Sequence, residues 1–443
     1  RKIKGKKLKQ FIVNNYSIDV IGERYFEIYN SKNSEIKNKK FNFFYSSYSG
    51  INKYSIFNTS FSYISNLMIP TFTMVALVIS GNQILGAEVA LIASLWLTIT
   101  QIFSNNIRSQ AVAKNDIQFL SENIKFRFLL SLISILIILF SDLTIMLTGS
   151  AKNIIFLKLI SVMILSQWIF ELILTSYEIE KKISKIIFIN ILNIVFCIFL
   201  LFSLFFLELN ILNVAFSIYI VFIILIIYLE TKFKFNENLR NNIQLIFTNI
   251  RSVAFFSSFS IIFSSFIWKY LIFIFYPKEI AAIFFACFSI GSLPATIFNS
   301  SIGPTYVKQK TKLSKKLKIT ILILFIITLF ITVFSIINIS LENSPFRFIN
   351  SFILHTLSFS IAGSFLMTYA MYLRQKNIQF DFVSRDKTFW LDTVYGSLIT
   401  ILLPFLYLLN SIYYVSLTFF LASIIGLTIY GIFLKFKLNV TSN

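Results

Sequence analysis

Two ionisable side chains stand inside long apolar stretches of the chain, where a charge is costly and usually has a function. Lys269 lies eight residues before Pro277, and its ammonium group could bind an anion, pair with a carboxylate or extend outward to water. Glu171 has no basic residue within two turns of its own predicted helix. Its carboxyl group could bind a proton or another cation, or it could be buried in the neutral form.

A second pair of charges indicates a structural contact. Asp142 and Lys158 lie at similar distances on either side of a predicted turn, so they reach a similar depth if the two helices are antiparallel. We expect a structural ion pair between them, in preference to a role in transport.

The sequence offers little for metal or disulfide chemistry. His355 is the one histidine, and Cys197 and Cys287 both lie within apolar stretches. A zinc or iron site and a disulfide framework both need more ligands or cysteines than these. We therefore expect no metal and no cofactor.

The elements that position these residues are predicted to be membrane helices. Apolar residues make up 56% of the chain and charged residues 13%, whereas soluble domains are about a quarter charged. Each apolar run is near the length that a helix needs to cross a bilayer. The runs are 54–80, 84–106, 127–148, 154–177, 186–207, 211–229, 253–277, 280–306, 319–339, 351–373, 389–409 and 413–434. They predict an all-α polytopic membrane protein with about twelve transmembrane helices.

The basic residues are distributed unequally between the two predicted sides. Of the 40 Lys and Arg residues, 35 fall in the N-terminal segment, the C-terminal segment and alternate connections, whereas Lys152, Lys278 and Arg347 fall in the other turns. By the positive-inside rule, both termini are predicted to be cytoplasmic. The net charge of +21 is therefore interpreted as a sign of topology and of contact with membrane lipids, and no nucleic-acid partner is expected.

Short internal matches predict two similar halves. Ser-Phe-Ser occurs at 60–62 and again at 258–260, and the related segments 102–107 and 297–302 end the second and eighth runs. Six crossings per half give both halves the same orientation, so we expect two six-helix bundles related by a pseudo-two-fold axis along the membrane normal. The predicted organisation is a basic, poorly ordered cytoplasmic tail (1–53), an N-terminal bundle with a linker (54–250) and a C-terminal bundle with a short tail (251–443).

Two longer segments carry a resemblance to a known family. The stretch GSLPATIFNSSIGPTYVKQKTK (Gly291–Lys312) and the stretch IFSNNIRSQAVAKNDIQFL (Ile102–Leu120), together with the 6+6 layout, resemble the multidrug/oligosaccharidyl-lipid/polysaccharide exporter superfamily. Within it, the chain is similar to the Wzx-type polysaccharide flippases. The resemblance implies translocation of a polyprenyl-diphosphate-linked oligosaccharide, of O-antigen or capsule type, across the bacterial inner membrane by alternating access. Candidate protein partners are a polysaccharide polymerase and glycosyltransferases.

The resemblance also suggests roles for particular residues. A diphosphate cannot enter hydrocarbon alone, so a flippase needs cations or hydrogen-bond donors in a wet cavity. Lys269 is the first candidate, and Arg108, Arg127 and Arg251, at predicted cytoplasmic helix ends, could bind either lipid phosphates or the substrate. Asn58 and Asn66 of the first run are expected to face the cavity. Pro70 and Pro294 permit kinks that could be static or could help the cavity to open.

Two other functional classes stay open. A cation-coupled multidrug antiporter of the same superfamily would be expected to have an acidic residue in its first helix, and 54–80 contains none, although Glu171 could couple instead. A membrane glycosyltransferase or polysaccharide polymerase would be expected to have a large outer loop, and no predicted outer turn is long enough. A transporter, not an enzyme, is the favoured interpretation.

Overall fold

Helices form in the apolar runs, because a chain segment surrounded by lipid must satisfy its backbone hydrogen bonds internally. The computed structural model describes residues 69–104, 107, 117–149, 153–180, 182–206, 209–231, 253–297, 351–380, 385–408 and 415–441, with short stretches between 322 and 333. No strand occurs in these ranges. The helices are α1 (Gln83–Ser104), α2 (Ile117–Phe140), α3 (Leu143–Thr148), α4 (Ile154–Ile179), α5 (Ile183–Phe206), α6 (Leu209–Thr231), α7 (Val253–Phe275), α8 (Lys278–Gly291), α9 (Leu293–Ile297), α10 (Ser351–Phe380), α11 (Arg385–Leu408) and α12 (Thr418–Thr441).

Six of the described helices contain a stretch long and apolar enough to cross a membrane, namely α1, α2, α4, α6, α10 and α12. Shorter apolar helical segments occur at Ile69–Ile79, Ser184–Leu200, Phe259–Phe275 and Trp390–Leu402. The helical, multi-pass membrane character predicted from composition is confirmed at this level. The twelve crossings and the two bundles stay predictions, and the run 319–339 lies largely outside the described residues, as does the segment 1–53.

One helix begins earlier than its apolar run. The sequence predicts a span from residue 127, but α2 begins at Ile117 because the polar segment before the run, with Glu122 and Lys125, continues the same helix. Long charged side chains are good helix formers, so the helix extends beyond its apolar part. Arg127 therefore lies inside α2, not at its end. The same predicted span is interrupted at 141–142, after which the short α3 follows.

The helices differ strongly in how much of their surface is covered. The apolar stretches of α1 and α4 are 72% and 78% buried, whereas those of α2 and α12 are each 33% buried. All of these helices lie in one compact unit, Gly50–Asn443. In it α1 packs against α4 and also against α7 and α8, while α10 packs against α8 and α12. The central position of α1 makes it the main contact between the helices before residue 231 and those after residue 253.

Small residues allow two pairs of helices, α7 with α11 and α8 with α10, to pack very closely. A Cβ atom added to Gly396 of α11 would lie 2.5 Å from the Ser260 side-chain oxygen of α7. The Ser260 hydroxyl donates a hydrogen bond to the carbonyl of Thr393, at 3.0 Å. Between α8 and α10, a Cβ on Gly291 would lie 2.4 Å from that of Ser360. Small residues and side-chain hydrogen bonds of this kind are what holds membrane helices together.

The two prolines singled out in the sequence lie at different kinds of position. Helix α8 ends at Gly291 and α9 begins at Leu293, so Pro294 occupies the second position of α9. Pro70 is buried in the described apolar segment Ile69–Ile79, and the residues before this segment lie outside the described part of the chain. Pro294 costs little at its position, because the first N–H groups of a helix have no partner within the helix. A hinge role for either proline stays a prediction.

Candidate functional site

Lys269 lies on α7 within an aromatic environment. Its Nζ atom is 5.9 Å from the ring centroid of Phe288 on α8, close enough for a cation–π interaction. The neighbouring Trp268 donates a hydrogen bond to the Thr418 hydroxyl at 2.7 Å and contacts Phe284 edge to face. These contacts fix α7 against α8 and α12 and so fix where Lys269 stands. In the part of the chain that the structure describes, none of the ion pairs includes Lys269.

Arg127 and Glu171, which the sequence analysis treated separately, form an ion pair. The Arg127 guanidinium is 1% exposed and its Nη1 atom lies 2.8 Å from Glu171 Oε2. The guanidinium also donates to the carbonyl of Trp168 and lies 5.0 Å from the Trp168 ring centroid. The Ser104 hydroxyl of α1 accepts hydrogen bonds from Arg127 and from the Trp168 indole. The cluster thus joins α1, α2 and α4.

This cluster changes the expectations for both residues. The sequence showed no basic residue near Glu171 on its own helix, and the structure places its basic partner, Arg127, on a different helix. The arrangement of Arg127 is likewise not that of a side chain extending from a helix end to lipid phosphates. Binding of substrate by Arg127 and ion coupling by Glu171 stay predictions, and each would require the pair to separate.

A second buried ion pair, Arg374 with Asp392, joins α10 and α11. The Arg374 Nε atom donates to Asp392 Oδ1 at 2.8 Å, and its Nη2 atom donates to Oδ2. The Asp392 side chain is 0% exposed, and its Oδ1 also accepts a hydrogen bond from the Tyr430 hydroxyl at 2.7 Å. Asn377 donates to the backbone carbonyl of Tyr430, so α12 is tied to the same cluster. Neither Arg374 nor Asp392 was selected as a site residue from the sequence.

A third ion pair joins helices that are distant in sequence. Lys278, the first residue of α8, places its Nζ atom 3.1 Å from Glu88 Oε1 of α1. The same ammonium donates to the backbone carbonyl of Thr148, the last residue of α3, at 2.8 Å. Glu88 is 1% exposed, and its Oε2 atom has no hydrogen-bond partner among the described residues. The sequence analysis had not selected Glu88 or Lys278 as site residues.

The predicted pair of Asp142 and Lys158 is not formed in this structure. Lys158 Nζ instead donates to the backbone carbonyl of Leu139 at 3.0 Å, and Asp142 is exposed. The interruption of the helix at 141–142 exposes the last turn of α2 and presents its carbonyl groups to Lys158. Four other predicted site residues lie outside the described residues: Asn58, Asn66, Arg108 and Arg251.

A buried polar chain without net charge crosses α4, α5 and α6. Gln167 donates to the Tyr219 hydroxyl at 3.3 Å, and this hydroxyl donates to Asn193 Oδ1 at 3.3 Å. All three side chains are buried, and the Asn193 amide nitrogen has no partner among the described residues. Such residues inside the membrane hold helices together or face a polar ligand.

The pairing pattern decides what these charges can do chemically. Glu88, Glu171 and Asp392 each face a cation, so the charge of each carboxylate is balanced within the described helices. Lys269 differs because its ammonium lies near the aromatic ring of Phe288 and belongs to no ion pair of the described residues. An ammonium group donates three hydrogen bonds, and an anion with several oxygen atoms could accept them. An anion-binding role at Lys269 is consistent with this geometry and stays a prediction.

Comparison with known proteins identifies a shared fold. No protein-family model matches the chain, and no curated protein matches it. The chain is similar to the crystal structure of a MATE protein in complex with MaD5, with 14% identity over 88% of this chain and 99% of that one, at a TM-score of 0.50. It is also similar to outward-facing and inward-facing structures of a multidrug resistance MATE family transporter of the MOP superfamily. Both of these are 14% identical to this chain, with a TM-score of 0.48. The match to the outward-facing structure covers 87% of this chain and 96% of that one. The match to the inward-facing structure covers 89% of this chain and 97% of that one.

The fold and the apolar helices together define the class of this protein. It is a polytopic α-helical membrane protein with a MATE-like fold. The resemblance to the wider exporter superfamily, inferred from the sequence, agrees with this fold. Membership of the Wzx-type flippases is a finer assignment, which an identity of 14% does not carry.

Proposed function

We propose that this protein is a flippase that moves a polyprenyl-diphosphate-linked oligosaccharide across the bacterial inner membrane by alternating access. The observation that carries the proposal is Lys269, an ammonium group on a membrane helix that belongs to no ion pair of the described residues. In this proposal the Lys269 ammonium binds the diphosphate while the sugar and the prenyl chain occupy the cavity and the lipid. Membrane lipids, a polymerase and glycosyltransferases are the proposed partners.

The energetics of the step favour export. Two negative charges moving outward across an inside-negative membrane gain about 4.6 kcal/mol at 100 mV if no counter-ion accompanies them. A single protein cation can lower the cost of bringing the diphosphate into the membrane without making its release slow. A flippase of this type therefore needs no acidic coupling residue, which agrees with the pairing of Glu88, Glu171 and Asp392.

A cation-coupled multidrug antiporter is the second candidate, and the fold supports it equally. The solved structures similar to this chain are MATE proteins, and two of them are described as multidrug resistance transporters. The buried chain of Gln167, Tyr219 and Asn193 offers polar atoms to a cation or drug. In this candidate Glu171 would have to leave Arg127 in order to bind the coupling ion.

Genetic complementation separates the two candidates. A bacterial strain that lacks its O-antigen or capsule flippase receives the wild-type chain, Lys269→Met or Lys269→Arg, and surface polysaccharide is measured. We expect export with the wild type, partial export with Lys269→Arg and none with Lys269→Met. Lys158→Met is the matched control, because it removes another lysine from a membrane helix and should preserve export. Full export by Lys269→Met would exclude Lys269 as the diphosphate ligand.

The antiporter is tested with the same variants in a dye-efflux assay under an imposed sodium or proton gradient. Failure to restore polysaccharide, combined with robust gradient-dependent efflux, would replace the flippase proposal by the antiporter. Loss of that efflux in Glu171→Gln, with normal amounts of folded protein, would identify Glu171 as the coupling residue.

A further inference from the structure

The ion pair between Glu88 and Lys278 differs from the others in what it connects. The pairs Arg127–Glu171 and Arg374–Asp392 each lie within one set of helices, either α1–α6 or α7–α12. The fourth described pair, Glu180–Lys182, is local. Glu88 belongs to α1 and Lys278 to α8, so among the described residues this pair alone joins the two sets. It lies on the surface where α1 packs against α7 and α8.

The local position of Lys278 indicates that it is not there to stabilise its own helix. Lys278 is the first residue of α8, where the helix dipole disfavours a positive charge. Its ammonium is satisfied from outside the helix, by Glu88 Oε1 at 3.1 Å and by the Thr148 carbonyl at 2.8 Å. The Thr148 carbonyl belongs to the last residue of α3, where the unpaired carbonyls attract cations. The charge of Lys278 is therefore used for contacts to α1 and α3.

The burial of Glu88 makes the contact energetically significant. Its side chain is 1% exposed, whereas that of Lys278 is 31% exposed. A buried carboxylate that loses its counter-ion is strongly destabilised, so Glu88 favours any arrangement in which α8 stays close. The pair therefore stabilises a closed arrangement of the two helix sets, and the energy of opening includes its loss.

All three residues lie near helix ends that share one side of the membrane. Glu88 is in the second turn of α1, Thr148 ends α3 and Lys278 begins α8. The distribution of basic residues predicts that these ends face outward. Arg127 lies near the middle of α2 and Arg374 in the C-terminal part of α10, so neither is at these helix ends.

We propose that Glu88, Lys278 and the Thr148 carbonyl form an outer latch, which holds α8 against α1 and α3 and must open before the transported molecule can leave to the outside. The inference rests on the proposed transport function and on movement of α1–α6 relative to α7–α12. It concerns the gate and not the cargo, so it applies to a flippase and to an antiporter alike.

The test measures opening directly by thiol labelling. Ala281, one turn after Lys278 on α8, is fully buried, and a cysteine introduced there reports whether the outer side opens. The full chain carries Ala281→Cys in a background with Cys197→Ser and Cys287→Ser, and intact cells are treated with a membrane-impermeant maleimide. The latch variants are Glu88→Gln and Lys278→Met. Both should be labelled about tenfold to a hundredfold faster than the parent, because loss of a hydrogen bond between charged groups shifts the equilibrium by about one to two powers of ten.

Two controls distinguish the latch from a general effect of charge or of misfolding. Lys278→Arg retains a cation at the same position and should be labelled at the parental rate. Asp142→Asn removes a carboxylate from the same predicted side, where Asp142 is exposed and belongs to no described ion pair, and should also leave the rate unchanged.

The result that overturns the latch is a parental labelling rate in both Glu88→Gln and Lys278→Met. An equal acceleration by Asp142→Asn would overturn it as well. The assay uses no transported substrate, so failure of the latch leaves the complementation result intact. Conversely, a failed complementation leaves the labelling result interpretable for the antiporter.

Discussion

The cluster of Arg374, Asp392 and Tyr430 provides the sharpest prediction about stability. Asp392→Asn leaves the Arg374 guanidinium inside the helix bundle without its counter-ion, and Asp392 is 0% exposed in the wild type. Breaking a buried pair by removing one partner costs about 3–5 kcal/mol, and the 13% exposure of Arg374 favours the lower end. With an unfolding entropy of about 2.1 cal/mol/K per residue, about 3 kcal/mol lowers the Tm of a chain of this length by about 3 °C.

A graded comparison isolates the charge. Tyr430→Phe removes the hydroxyl that donates to Asp392 but leaves the ion pair, so we expect a loss of about 1 kcal/mol and a Tm lower by about 1 °C. Arg374→Gln combined with Asp392→Asn removes both charges, and the double variant should be clearly more stable than the sum of the single effects implies. Tm is measured on purified full-length protein in detergent by the temperature dependence of its monodisperse fraction.

Two results would refute this reasoning. If Tyr430→Phe and Asp392→Asn lower the Tm equally, the hydroxyl contact and not the charge is what matters. If the double variant loses as much stability as the two single variants together, Arg374 and Asp392 are not energetically coupled.

Two further variants test the packing of the helices. Glu171→Gln removes one charge-assisted hydrogen bond of about 2 kcal/mol from Arg127, whose other contacts remain. It should lower the Tm by about 2 °C. An unchanged Tm in the same detergent assay would argue against the pair as a stabilising contact. Gly396→Val should reduce the yield of folded protein strongly, because even a Cβ would lie 2.5 Å from Ser260. Size-exclusion profiles check this against the control Gly426→Ala, where the nearest atom to an added Cβ is 3.1 Å away. Equal yields of the two variants would contradict the prediction.

The helices could be predicted from the sequence because the bilayer imposes a strong, one-dimensional signal. A run of about twenty apolar residues is sufficient to indicate a membrane helix, whatever it packs against. The predicted run 154–177 thus matches α4 (Ile154–Ile179) closely. Agreement fails where a helix continues into polar sequence, as α2 does for ten residues before Arg127.

The partners of the buried charges could not be predicted, because pairing depends on the rotation and depth of each helix. Arg127 and Glu171 are 44 residues apart, and Lys278 and Glu88 are 190 residues apart. No local pattern records such a contact. The spacing of Asp142 and Lys158 suggested a pair, but the break at 141–142 altered the geometry of the hairpin. The sequence left open whether Glu171 binds a cation or is buried in the neutral form, and it did not point to Arg127 as its partner.

The measurement that tests the proposed function most directly is lipid translocation by the purified full-length protein. Proteoliposomes contain a fluorescent polyprenyl-diphosphate-linked sugar, and an impermeant quencher reports how fast it changes leaflet in the presence of wild type, Lys269→Met or Lys158→Met. We predict translocation by the wild type and by Lys158→Met, and a rate about tenfold to a hundredfold lower for Lys269→Met, as expected for the loss of a hydrogen bond from a charged donor. Equal rates for wild type and Lys269→Met, or no translocation above that of empty liposomes, would contradict the proposal.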